Sequence, residues 1–470
     1  MTVRKRTIRA GAAQLPATTL DQAVHALELI HDAIDRAAGQ GVQLLVLPEG
    51  AYPSYFLPSV EAYRSARVLP NNRFLGMLGD RARRHGMHLV CGFVEDRGDC
   101  LHNAAALIDD AGTVIGIARK SFLWGDDNKV FAPGRELRAF ACKLGAVGIA
   151  ICADVRAPET TAALAWRGAQ IIAVPTCWVN TAREPGAYYN PQPDFLIEAR
   201  SREIAVPFVC ANKFGRETDS LSYCGYSLIT DAQGHVLAKA SPDQATILTA
   251  DIQAARARKP ALPDWARDRI VCTQPAEEPD IGPDGTVRLA AVPTTRIMPG
   301  DDDHDVLRSL AAEGVQVVAL ALPSAKIAEE MEVYARSLGI ELIGRAGDSR
   351  VLCGSFGSYG ALRGSEMLSF APARALALDG AAILFVTDPP DDLVVLRARA
   401  AENKVFVVGT SARSALIIAP NGAILARSAD SDSQPVIAMV DLESTRDKYV
   451  FPGTHIFEQR KPHLYGEAFR

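Results

Sequence analysis

Three residues of complementary chemical type stand where apolar runs stop. Glu49 follows LLVLP, Lys120 follows TVIGIAR and Cys152 follows AVGIAI. A thiol needs a base or a neighbouring cation before it acts as a nucleophile. A carboxylate can take that proton and later return it to a departing amine. A buried ammonium stabilises a thiolate and the oxyanion formed when the thiolate adds to a carbonyl. As a set, the three fit attack on an acyl carbon through a covalent thioester. Each also has a plainer use: Glu49 as a solvated acid before a turn, Lys120 as a surface lysine beside Arg119, and Cys152 as a small filler at a strand end.

The elements that must position them follow from periodicity. Short runs rich in Val, Ile and Leu (LLVLP, HLVCGFV, AALIDD, TVIGIARK, VGIAIC, IIAVP, FVCAN, YSLITD) predict strands. TLDQAVHALELIHDAIDRAAGQG (19–41) predicts an amphipathic helix capped by Thr and closed by Gly, and NNRFLGMLGDRARRHG and APETTAALAWRGA predict two more. Strands beneath outer helices predict a layered α/β sandwich, in which strand ends and the loops after them line sites.

The chain also repeats itself. TIRAGAAQLP (7–16) pairs with TVRLAAVP (286–293), and GVQLLVLPEG (41–50) with GVQVVALALPS (314–324). AALAWRGAQIIAVPT (162–176) pairs with RALALDGAAILFVTD (374–388), and EARSREIAVPFVCAN (198–212) with RARAAENKVFVVGTS (397–411). YSLITDAQGHVLAKA (226–240) pairs with SALIIAPNGAILARS (414–428), and RKPALP (258–263) with RKPHLY (460–465). The kept order predicts a duplicated domain: residues 1–259, a Pro-rich acidic linker at 260–285, and residues 286–470.

The motifs LLVLPEG, IARKSFLWGDDNKVFAPG and VGIAICADVRAPE, in that order, resemble the carbon–nitrogen hydrolase (nitrilase) superfamily. So do AVPTCW, EARSREIAVPFVCANKFG, GYSLITDAQGHVLA and the RKPHLY tail. The resemblance covers residues 7–260 and recurs in weaker form from 286. It implies an α-β-β-α sandwich, here duplicated. It also implies a Glu–Lys–Cys triad, with Glu49 as general base, Lys120 as oxyanion-stabilising cation, Cys152 as nucleophile and the backbone N–H of Ala153 in the oxyanion hole. Many members carry a second Glu before an F-x-P-G motif. Counting back from FAPG (131–134), that slot holds Asp127, with Asp126 beside it, each one methylene shorter; GDDNK also fits a plain acidic turn.

The resemblance implies hydrolysis of a non-peptide C–N bond in a small amide or N-carbamoyl compound. A nitrilase or an amide-forming acyltransferase on the same triad is the alternative, and a non-catalytic binding or scaffold protein is the alternative of another class. Ala153-Asp154 replaces the Trp-Glu usual in nitrilases, which favours amides. Tyr55, Trp124, Arg156 and Trp178 are candidate substrate contacts. Arg156 would bind a carboxylate through its fork or pair structurally with an acid, and the aromatics would line a pocket or close the face between the halves.

The second half keeps elements but not chemistry. Ser324 follows the proline where Glu49 stands, and Gly364 aligns with Cys152. The landmarks are 103 positions apart in the first half and 40 in the second, so the segment that would carry the lysine is expected to be deleted. A degenerate, non-catalytic copy packing as an intramolecular pseudo-dimer is expected, with further homo-oligomerisation left open. Lys+Arg total 50 against Asp+Glu 55, a net charge of −5, with no large basic face, so no nucleic-acid partner is expected. No run approaches a membrane span, and MTVRKRTIRAGAAQL does not read as a signal peptide. Nine scattered cysteines without CxxC predict no disulfide framework and a reducing, cytoplasmic setting. No cofactor or metal is expected; the histidines form no spaced ligand pair, and HGMH places His85 and His88 in a loop around Gly86.

Overall fold

The computed structural model describes residues 7–283, 285–296, 302–321, 325–344, 350–428 and 433–469. They form two compact units. One lies within Met1–Lys259, Phe451–Thr454 and Gln459–Arg470, the other within Pro260–Val450 and His455–Glu458.

In the first unit the apolar runs build two sheets. One runs in the order Leu221–Cys224, Lys213–Thr218, Thr7–Pro16, Leu44–Val46, His88–Asp96, Leu101–Ile108, Val114–Arg119, with Thr246–Gln253 antiparallel to Thr7–Pro16. The other runs Val236–Lys239, Leu228–Thr230, Phe208–Ala211, Ile171–Pro175, Gly145–Ile149, Ala139–Cys142. Helix Ala23–Gly39 buries a stripe three and four residues apart, Ala26, Ile30, Ala33, Ile34 and Ala37. Helix Asn71–His85 buries Phe74, Leu78 and Ala82, and Gly86, at φ 61°, ends it in the left-handed conformation a Cβ would strain. Both helices pack on Leu45, Leu89 and Cys91, one face of the first sheet. The pleat sends Leu44, Val46 and Val90 to the opposite, equally buried face, toward the second sheet. Helices Pro158–Trp166 and Ile197–Ile204 cover the second sheet, completing the α-β-β-α sandwich.

The second unit repeats this plan in reduced form. Its sheets run Glu341–Ile343, Val317–Leu320, Thr286–Val292, Val436–Asp441 and Leu352–Gly354, Gly357–Arg363, Ile383–Thr387, Phe406–Thr410, Ala415–Ile418, Ile424–Arg427. A buried ion pair marks the duplication. Arg200 pairs with Glu203 at 3.4 Å and donates through Nε to the Val155 carbonyl at 3.1 Å. Arg399 pairs with Glu402 at 2.7 Å and donates to the Met367 carbonyl at 3.0 Å. The missing hairpin is explained by chain length: Asp96 and Ala139 bracket two strands in the first unit, whereas only eight residues separate Ile343 from Leu352. Ser324 lies outside the described residues.

The tails differ from the sequence expectation. Residues 260–285, expected as a linker, contain helix Asp264–Val271, whose buried Ala266 and Ile270 lie four apart on one face. This helix follows the first repeat but belongs to the second unit, where it packs on helix Phe370–Leu378, and Arg269 donates to the Leu378 carbonyl at 2.6 Å. Conversely, helix Pro462–Phe469 follows the second repeat but packs on Pro158–Trp166 of the first unit. There Phe469 meets Trp166 at 4.6 Å, and Arg167 and Lys259 bond the carbonyls of Leu464 and Ala468, each at 2.8 Å. The tails are thus exchanged between equivalent helices. Leu464, Tyr465 and Phe469 are buried, each worth roughly 2 kcal/mol. A chain ending after Glu458 is therefore expected to unfold roughly 10 °C lower in a thermal melt, and an unchanged midpoint would refute this role for the tail helix.

Candidate active site

The sheet topology brings two of the three strand-end residues together. Leu44–Val46 is parallel to His88–Asp96, and two antiparallel steps lead to Val114–Arg119. The first and last of these strands therefore run the same way, so Glu49 and Lys120 leave the sheet at one end. Neither is solvated: both are buried, and the Lys120 ammonium donates to Glu49 Oε1 at 2.7 Å. It also donates to Asp127 Oδ2 at 2.6 Å. Asp127, not Asp126, is therefore the acid on the lysine. Asp126 is exposed and pairs with Lys129 at 2.9 Å.

Each member of this cluster is held by further donors. Asn103 Nδ2 donates to Glu49 Oε1 at 2.7 Å, and the Lys120 N–H donates to the Asn103 carbonyl at 2.8 Å. Asp127 accepts from the Tyr55 hydroxyl at 2.9 Å and the Trp124 backbone N–H at 3.0 Å. The Tyr55 loop is fixed by Glu217, which accepts from the N–H groups of Tyr55 and Phe56 at 3.0 and 2.7 Å and from the Tyr223 hydroxyl at 2.6 Å. Lys213 ties down the turn after Glu49 by donating to the Gly50 carbonyl at 2.8 Å.

Cys152 comes from the second sheet, at the start of a 3-10 turn, Cys152–Arg156. Its φ of 46° is left-handed, a strained conformation for a residue with a Cβ. Asp154 pins the turn. Its Oδ1 accepts from Ser121 N, Ser121 Oγ and Phe122 N at 3.0, 2.7 and 2.8 Å, and its Oδ2 from Ile151 N at 2.9 Å. One buried carboxylate thus joins the cysteine turn to the loop directly after Lys120. Gln192 supports the other side, donating to the Cys152 carbonyl at 3.0 Å. At the equivalent junction of the second unit, a Cβ on Gly364 would lie 1.7 Å from the Asp388 carbonyl oxygen, so no cysteine fits there without movement of the backbone.

The electrostatics follow from burial. Desolvation and the Glu49 carboxylate push the Cys152 thiol up to about 12, against the opposing pull of Lys120. Burial also raises Glu49 above the usual carboxylate range, with Lys120 opposing and Asp127 adding to the rise. For Lys120, burial works against the charge, but the carboxylates of Asp127 and Glu49 prevail and hold it well above an ordinary lysine. The resting arrangement is a neutral thiol beside a permanent ammonium and an acid displaced toward neutrality.

The candidate substrate contacts separate. Tyr55 and Trp124 line a cavity of about 400 Å³ whose lining includes Asp127, the acid on Lys120, but not Glu49, Lys120 or Cys152 themselves. Arg156 stacks on the Trp124 ring at 4.7 Å and donates to Gln192 at 3.1 Å; among the described residues it pairs with no acid. Trp178 is buried, its backbone N–H donates to Asn212 Oδ1 at 2.7 Å, and it does not line this cavity. His85 ends a helix and pairs with Asp35 at 2.8 Å rather than lying in a loop, and His88 begins a buried strand. Among the described residues no group of His, Cys, Asp and Glu is placed to hold a metal ion. Sequence reasoning missed Asn103, Asp154, Gln192, Lys213 and Glu217. An Asn within the apolar run LHNAAALI was a readable signal; the others matter only through loops brought together by folding.

This architecture and site define a class, hydrolases built on a duplicated α-β-β-α sandwich, and the comparisons agree. The carbon–nitrogen hydrolase family model matches residues 9–260 and again 322–448. The chain is 34% identical over 221 residues to a nitrilase of Pyrococcus abyssi, covering 47% of this chain and 80% of that one. It is 29% identical to an (R)-stereoselective amidase of Pseudomonas sp., covering 53% and 88%. It is 25% identical to an N-carbamoylputrescine amidase of Solanum lycopersicum, covering 46% and 77%. Among solved structures, an amidase from Nesterenkonia sp. is 27% identical and covers 54% of this chain and 93% of that one, with a TM-score of 0.47. The chain belongs to the carbon–nitrogen hydrolase family. It is an amidase-like enzyme of the nitrilase superfamily with the domain present in tandem, a superfamily that hydrolyses C–N bonds of amides or nitriles. No helix among the described residues is long and apolar enough to cross a membrane.

Asp154 supplies a direct test of the site's construction. Asp154→Ala strands four donors in a buried turn and is expected to cost about 3 kcal/mol in urea denaturation, with Asp154→Asn losing less. Equal stability of Asp154→Ala and wild type would show that the turn is held by other means.

Proposed function

We propose that the chain hydrolyses a small amide or N-carbamoyl compound through a thioester on Cys152. The observation that supports this is the buried Glu49–Lys120–Asp127 cluster beside a thiol on a strained turn. As the sulfur attacks the carbonyl carbon, Glu49 takes the thiol proton, so no free thiolate is needed in the resting enzyme. The oxygen charge is met by Lys120 and by the Ala153 N–H, which lies in a leading turn where amides lack helical acceptors. Glu49 passes its proton to the departing nitrogen, the C–N bond breaks, and the acyl group remains on sulfur. Glu49 then deprotonates water, which attacks the thioester; acid and free thiol are released and Glu49 returns to its starting state. Asp127 keeps the lysine charged and positioned.

Amides are favoured over nitriles by Ala153-Asp154 after the cysteine. Nitrile hydrolysis is the second reading, favoured by the similarity to the Pyrococcus abyssi nitrilase. The second copy, without room for a lysine hairpin and with Gly364 sealed against backbone, acts as a non-catalytic partner.

Matched amides and nitriles, analysed for product and for intact protein mass, are expected to yield acid from the amides and an acyl adduct on the wild type but not on Cys152→Ala. Full turnover by Cys152→Ala would overturn the mechanism. The acid limb of kcat/KM gives a second check. Glu49 must be ionised to act as base and is raised above 4.5, so the rate is lost as pH falls through that raised value. Asp127→Asn removes a carboxylate that raises Glu49, so its acid limb is expected to move to lower pH; an unmoved limb would exclude this coupling.

A further inference from the structure

An insertion in the second copy reaches the loop that carries Asp127. Strands Thr7–Pro16 and Thr286–Val292 are equivalent, and their antiparallel partners place Gln253 opposite Thr7 and Asp441 opposite Thr286. From there to the Arg-Lys-Pro shared by both copies is five positions in the first (Arg258) and nineteen in the second (Arg460). The additional chain, LESTRDKYVFPGTH (442–455), has no counterpart after the first repeat. Its stretch Phe451–Thr454 belongs to the first unit.

There it sits on the loop that holds Asp127. The Phe451 ring stacks on Trp124 at 5.1 Å with the planes 26° apart. Thr454 Oγ1 accepts from the Gly125 N–H at 2.6 Å, although 329 positions separate them. Gly125 and Gly453 both have positive φ, 55° and 79°. A Cβ on Gly125 would press on the Phe451 ring at 3.2 Å and one on Gly453 on the Gly125 carbonyl at 3.1 Å, so the two turns nest as only glycines allow. Phe451 then lines the 400 Å³ cavity together with Tyr55, Leu57, Trp124, Phe131 and Leu221. The lining is mostly apolar and aromatic; of its ionised groups, Asp127 is engaged with Lys120, and Asp126 pairs with Lys129.

We propose that this cavity, which meets the catalytic cluster at Asp127, receives the substituent of the substrate, and that Phe451, anchored by Thr454 and contributed by the insertion in the second copy, is its specificity-determining wall, selecting primary carboxamides with an apolar chain or ring as substituent. The proposal rests on the amidase reading above and deepens it. The second copy thereby acts on the reaction without any catalytic group of its own.

The test compares acetamide, hexanamide and benzamide on the full chain. Phe451→Ala is expected to lower the ratio of kcat/KM for hexanamide or benzamide over acetamide about tenfold, through KM, with Phe451→Leu recovering most of the hexanamide ratio. Thr454→Val, which keeps the ring but removes its anchor, shifts the ratio in the same direction by less. Calorimetric binding of the same amides to Cys152→Ala, with and without Phe451→Ala, separates this proposal from the reaction. Amides that bind Cys152→Ala with the same size preference but are not turned over by wild type would overturn the hydrolysis and support the wall. Ratios unchanged within twofold, or equal losses for all three amides, would overturn the wall while leaving the hydrolysis intact.

Discussion

A lysine ammonium buried between two carboxylates is the constraint to which the rest of the site conforms. Alone, Lys120 could not remain charged in that position, because desolvation disfavours the ion; with Glu49 and Asp127 at 2.7 and 2.6 Å it is held charged. Those carboxylates are themselves costly to bury and need their own donors, which is why Asn103, Tyr55 and the Trp124 N–H converge on them. Glu217 and Lys213 then fix the loop that presents Tyr55 and the turn after Glu49. The result is a carboxylate raised by burial and an ammonium held in place, with a buried thiol within reach of their charges.

The same reasoning bears on the second copy, whose described residues do not contain this cluster. Removing one member of a buried charge cluster strands the others, whereas removing the cluster entire does not. The second copy lacks the hairpin that carries lysine and second acid, and backbone fills the place of the thiol. What it keeps is structural: the Arg399–Glu402 pair and its Met367 acceptor repeat Arg200, Glu203 and Val155 atom for atom. The exchange of tail helices packs on each unit's outer helix a segment that follows the other repeat.

Much of this was legible in the residues. Strand and helix periods gave the layers, the ordered echoes gave the duplication, and Glu49, Lys120 and Cys152 stood out as complementary types at strand ends. Counting back from FAPG reached Asp127 but could not separate it from Asp126, because adjacent residues on a turn point in different directions and only the packed loop decides which one faces inward. Asp154 was legible as an acid after the cysteine but not as the clamp between two loops. Trp178 looked like Trp124, an aromatic after a strand, yet one is interior and the other lines the cavity. The tail helix at 264–271 was obscured by the prolines and acids around it.

The sequence by itself determined the elements, the repeat and which residue types stand at the strand ends, because periodicity and residue chemistry are local properties. Tertiary structure alone decided which acid sits on Lys120, which carboxylate holds the cysteine turn, and that Phe451 lines the cavity beside a Gly125–Thr454 contact whose partners are 329 positions apart. Those outcomes depend on contacts between residues far apart in the chain. Burial then turns such contacts into charge states and shape, and neither burial nor long-range proximity is written in any single stretch of residues.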